Sequence, residues 1–170
     1  MAHADRAAGR RAALVGIGVL ALSGPLTRLA FAQGGGETLA RIDDLRALAA
    51  QVKKEQQPLL LFFSTPGCPY CAQVRRNYLA PRVRDGARSG VAVREVEITA
   101  SRSFFGLDGR RISESNFAAG YGIRMVPVVL LVDAAMKPLA EPLIGIGAAD
   151  FYESFLVEAI DTASRRLRGR

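Results

Sequence analysis

Apolar positions recur along this chain with two different periods, and each period marks a different kind of element. Leu39, Ile42, Leu45, Leu48 and Val52 follow one another at spacings of three or four, which predicts an amphipathic helix over 38–56. Pro58 ends it, and the run "LLLFF" at 59–63 is apolar at every position, as in a strand covered on both faces. A turn at 64–67 follows. Val74, Tyr78 and Leu79 predict a second helix over 68–80, with Pro69 in its first turn and its end set by Pro81.

The stretch "VAVREVEI" at 91–98 alternates like a strand with one wet face. Strand, helix, strand in this order is a βαβ crossover, so these two strands are expected to run parallel. Residues 101–112 are polar and glycine-marked and read as an insertion, with Phe104 and Phe105 packed down rather than displayed. Ser113 can cap a helix over 114–119 that ends at Gly120. Met125, Val126 and Pro127 lead into an apolar strand at 128–132, and "DAAMK" turns it into a hairpin partner at 139–144. Gly145 and Gly147 close that strand, and a last helix over 149–167 turns Phe151, Phe155, Leu156, Ala159 and Ile160 inward. This order predicts an α/β fold: one domain over 38–170, with a four-stranded mixed sheet and helices on both faces.

The beginning of the chain follows neither period. Arg6, Arg10 and Arg11 precede an apolar stretch of eleven residues at 12–22, and Ala30-Phe31-Ala32 offers a small-x-small cleavage site. Eleven residues fall short of the ~20 that cross a bilayer, so 1–32 is expected to be an export signal cut after Ala32. Residues 33–37 would then be a flexible leader, and the mature protein would lie in the periplasm. Arg10-Arg11 also fits a twin-arginine signal loosely. Four of the 23 Lys and Arg and one of the 16 acids leave with the signal, so the net charge falls from +7 to +4. Much of that charge sits in "RRLRGR" at the end of the last helix, where cations suit the helix dipole and remain hydrated. Nothing here points to nucleic acid, and a monomer is expected.

His3 is the only histidine and lies in the signal, so the mature chain has no imidazole. Serine–histidine and cysteine–histidine hydrolysis are excluded, as are most zinc sites. The chain's two cysteines, Cys68 and Cys71, are three residues apart at the junction of a predicted strand and helix. Unsatisfied N–H groups at a helix start favour a thiolate, so the Cys68 thiol is expected to ionise below the ordinary ~8.5. Cys71 sits one turn inside, near enough to close a disulfide with Cys68 and to resolve a mixed disulfide formed there. A structural staple over so small a ring would restrain little chain entropy. Two thiolates without further ligands make at most a metal site shared between chains, or a copper(I) carrier without catalysis.

These motifs together resemble the thioredoxin superfamily. "LLLFFSTPGCPYC" is similar to its active-site strand and loop, "YGIRMVPVVLLVD" to its proline-marked third core strand, and "LIGIGAADFYESFLVEAI" to its last strand and closing helix. Among relatives the chain looks most like periplasmic thioredoxin-like proteins linked to sulfur oxidation, the SoxW type. The resemblance implies a thiol-disulfide oxidoreductase without a bound cofactor, exchanging disulfides with exported proteins and supplied by a membrane thiol donor. It implies Cys68 as nucleophile, Cys71 as resolving thiol, and Pro127 as a cis-proline beside them. Val126, Pro69 and Tyr70 would line the client-binding surface, and the family likeness favours the reducing direction.

Three departures stand out. Gly67 precedes Cys68, and Pro69-Tyr70 fills the gap between the cysteines as in glutaredoxins, although export removes the protein from the main glutathione pool. Phe62 stands where the family often buries an acid, so the proton acceptor for Cys71 is missing from its usual place. The insertion at 101–112 is the third. Arg75, Arg76 or Arg124 would add positive potential if they faced the site.

Overall fold

The computed structural model describes residues 38–147 and 149–169. The expected signal at 1–32 and the leader at 33–37 lie outside the described residues. A sheet of four strands, β1 (Leu59–Ser64), β2 (Ala92–Glu97), β5 (Val128–Val132) and β6 (Leu143–Ile144), has the order β2-β1-β5-β6. β1 and β2 pair in parallel with Phe62 opposite Glu95, while β5 pairs antiparallel to both β1 and β6. The sheet is therefore mixed, as the order of elements predicted.

Every residue of β1 is buried, and successive side chains feed opposite cores. Leu60 and Phe62 join Cys71, Val74 and Leu79 from the cysteine-bearing helical segment, together with Leu156, Ala159 and Ile160 of α5 (Tyr152–Arg168). Leu59, Leu61 and Phe63 pack on the other face, against Leu45, Leu48 and Val52 of α1 (Leu45–Glu55) and Phe117 of α4 (Glu114–Gly120). The helices thus lie on both faces. Among the described residues, no helix is long and apolar enough to cross a membrane.

Four expectations need correction. The first helix begins at Leu45, because Asp44 caps it by accepting from the N–H groups of Arg46 and Ala47. Leu39 and Ile42 are buried, but in opposite cores, which one helical stripe cannot do. The segment before the cap is extended instead, and Ala40 accepts a 2.9 Å bond from the Glu95 N–H.

Pro81 does not end the second helix. After α2 (Pro69–Val74) the chain makes a π-helical turn over Arg75–Leu79 and continues as α3 (Ala80–Asp85). The wider turn puts Pro81 in the first turn of α3, where its missing N–H leaves no bond unmade.

The insertion folds as a hairpin of β3 (Ser103–Phe105) and β4 (Arg111–Ser113). Strand alternation sends Phe104 into the core and leaves Phe105 39% exposed between Arg46 and Arg111. On α5 the inward stripe is Tyr152, Leu156, Ala159, Ile160 and Ala163. Leu156, Ala159 and Ile160 face inward as expected, but Tyr152 and Ala163 complete the stripe, and Phe151 and Phe155 are 61% and 50% exposed. The hairpin after β5 forms, but its paired return is limited to Leu143–Ile144 and a bridge from Val132 to Pro138.

Candidate active site

Cys68 is the cap residue of α2. Its backbone is extended, with φ −78° and ψ 110°, and its sulfur accepts a 3.1 Å hydrogen bond from the Cys71 N–H. Gly67 enters this turn at φ +74°, a conformation that costs a side-chain-bearing residue and costs glycine nothing. Pro69 occupies the first helical turn, where no backbone donor is needed. Cys68 and Cys71 are joined in a disulfide with their Cα atoms 5.2 Å apart.

The two sulfur-bearing residues are not equivalent. Cys71 is fully buried in the core on the α2 side of the sheet, whereas Cys68 is half-buried at the edge of that core. A partner can therefore approach the outer cysteine while the inner one stays covered. Tyr70, between them, is 58% exposed. Val126 is half-buried against both cores, and the Val126–Pro127 peptide bond is cis. The Pro127 carbonyl accepts a 2.8 Å bond from the Gly145 N–H, which ties the start of β5 to the end of β6. Among the described residues, no group of three or more His, Cys, Asp or Glu is placed to hold a metal ion.

Residues 45–156 match the family model described as a thioredoxin-like domain. The chain belongs to that family. A comparison with curated protein sequences returned no match. Among solved structures, the DsbH oxidoreductase is 20% identical at a TM-score of 0.51, over 74% of this chain and 88% of its own. A thioredoxin-fold protein from Helicobacter pylori is 19% identical at a TM-score of 0.48, over 67% of this chain and 81% of its own. The periplasmic thioredoxin SoxS from Paracoccus pantotrophus is 17% identical at a TM-score of 0.43, over 63% of this chain and 99% of its own.

The thioredoxin-like domain here carries a buried acid that was not among the residues expected at the site. Phe62 is fully buried, but Glu95, its partner across the β1–β2 ladder, is buried as well. Glu95 accepts a 2.5 Å hydrogen bond from the Ser64 hydroxyl and a two-pronged ion pair from Arg75, whose Nε lies 3.2 Å from Oε2. A signal was present: Glu95 shares strand parity with Val91 and Val93, both buried, so alternation places it on the inner face. Arg75, which could have projected free charge at the site, is held by this carboxylate and lies over the Phe62 ring at 5.7 Å. Arg76 turns to the side chain of Asn77 instead.

Proposed function

We propose that this protein is a periplasmic thiol-disulfide oxidoreductase that reduces disulfides in exported proteins. One observation carries the reading: a half-exposed Cys68 caps a helix at the end of a buried strand and is bonded to a fully buried Cys71. In the reduced protein, the Cys68 thiolate attacks a client disulfide. One client sulfur leaves as a thiolate and takes up a proton, while the other stays in a mixed disulfide with Cys68. Cys71, after losing its proton, attacks the Cys68 sulfur, releases the second client thiol and restores the Cys68–Cys71 disulfide. Two electrons have passed to the client, and a membrane dithiol donor returns the pair to its reduced state.

The Cys71 N–H that reaches the Cys68 sulfur stabilises negative charge on it, which supports Cys68 as the nucleophile. On this reading the client meets the exposed Pro69 and Tyr70 beside Cys68 and the half-buried Val126, whose bond to the buried Pro127 is cis. Export rests on the charged start, short apolar stretch and small-x-small site of residues 1–32.

Insulin reduction with dithiothreitol as donor tests the activity. The mature protein accelerates precipitation of the insulin B chain, and Cys68→Ser abolishes the acceleration. A rate equal to that of dithiothreitol alone rejects the enzyme.

A further inference from the structure

The exchange chemistry above uses the two cysteines and leaves one buried charged pair without a role. Glu95 and Arg75 pair beside the Cys71 core, where Phe62 packs with Cys71 on one side and lies beneath the Arg75 guanidinium on the other. Arg75 is four residues past Cys71, on the same face of the helix, and it opens the π-helical turn. Its side chain is 22% exposed and that of Glu95 only 6%, so water screens their charges poorly.

We infer that Glu95 sets the redox potential of the Cys68–Cys71 pair by neutralising Arg75. Reduction turns a neutral disulfide into a thiolate and a thiol, so the reduced state alone carries negative charge at Cys68. A free guanidinium nearby stabilises that state and makes the pair more oxidising; a carboxylate bound to it removes the effect. Seven residues of helix separate Cys68 from Arg75 by ~10 Å, a range at which an unscreened unit charge in protein is worth about tenfold in an equilibrium constant. Glu95 thereby biases the site towards the reducing direction. It acts through Arg75 and is a positioning residue rather than a catalytic one.

The test equilibrates the purified mature protein with glutathione buffers: the protein disulfide and two glutathione thiols give the protein dithiol and glutathione disulfide. Glu95→Gln raises this constant about tenfold, or about 30 mV for a two-electron couple. Arg75→Gln lowers it, because the Glu95 charge is then left uncompensated. The double variant returns to within twofold of wild type, and Glu95→Asp stays there too. Single variants that shift the constant in the same direction, or not at all, overturn the inference. Should Glu95→Gln fail to fold, Arg75→Gln decides alone: a lower constant supports the tuning and an unchanged one overturns it. The inference rests on the disulfide-exchange reading, but the readout needs only a reversible disulfide, so it succeeds or fails separately from insulin turnover.

Discussion

The backbone N–H of Cys71 donates to the sulfur of Cys68 across 3.1 Å, inside the first turn of the helix that the same sulfur caps. One residue therefore serves the outer sulfur twice: its amide stabilises charge there, and its own sulfur closes the bond. The amide contact does not depend on the Cys71 side chain, so the two roles can be separated by mutation.

Cys71→Ser keeps that N–H and removes the resolving thiol. The expected outcome is a client held on Cys68 as a mixed disulfide, visible by mass spectrometry as an adduct that dithiothreitol releases. Cys68→Ser forms no such adduct under the same conditions. If the adduct instead forms on Cys71 in the Cys68 variant, the assignment of nucleophile is reversed.

How far the sequence could lead depended on whether each element announced itself locally. The strand at 59–63 and the cysteine-bearing turn did so, because an all-apolar run followed by glycine, cysteine and proline has few other readings. The four-stranded sheet followed from the order of such elements. What escaped detection required knowledge of a neighbour. Leu39 and Ile42 fit a helical spacing by coincidence, since only the cap at Asp44 and the bond from Glu95 to Ala40 show that the chain there is extended. Pro81 stops an α-helix but not one that has just widened into a π turn. Glu95 shares strand parity with the buried Val91 and Val93, but its partners Arg75 and Ser64, respectively 20 positions and 31 positions before it, are not legible from the pattern.

Glu114 is fully buried at the start of α4 and joins three parts of the chain. It accepts from the Arg41 side chain at 3.0 Å, from Arg102 at 2.8 Å and from the Glu97 N–H at 2.8 Å. Replacing one partner leaves the others desolvated without their charge-assisted bonds. Glu114→Gln is expected to cost about 2–4 kcal/mol, read as a lower urea midpoint at unchanged slope. The cluster lies on the opposite side of the sheet from Cys71, so the glutathione equilibrium should stay within twofold of wild type. A matching change in that equilibrium would tie this network to the site.

Tyr152 presents the reverse situation. Its ring packs on Tyr78 at 4.7 Å between centroids, but its hydroxyl is buried with no hydrogen-bond partner among the described residues. Burial, then the neighbouring Tyr78, pushes its ionisation up to about 12. Tyr152→Phe keeps the ring contact and removes the desolvated oxygen. It should stabilise the protein by about 1 kcal/mol, seen as a melting temperature a few degrees higher. A lower melting temperature would show that the hydroxyl is bonded in solution.

Asp44 gives the fold an acid-sensitive end. The Arg46 side chain first, and then the N–H groups of Arg46 and Ala47, hold its carboxyl down at about 2. A carboxyl whose ionisation is depressed on folding adds stability above its unfolded value of about 4, and loses it as pH falls towards the folded value. The affected window therefore runs from about pH 4 down to about pH 2. Asp44→Asn keeps an acceptor oxygen at the cap but has no charge to titrate. The variant should melt below wild type at pH 7 and at nearly the same temperature at pH 2, because most of the stability that the charge adds has been lost by then. Melting curves at pH 7, 4, 3 and 2 measure this convergence. A constant gap at every pH would mean that Asp44 supports the helix only through cap geometry, with no contribution from its charge.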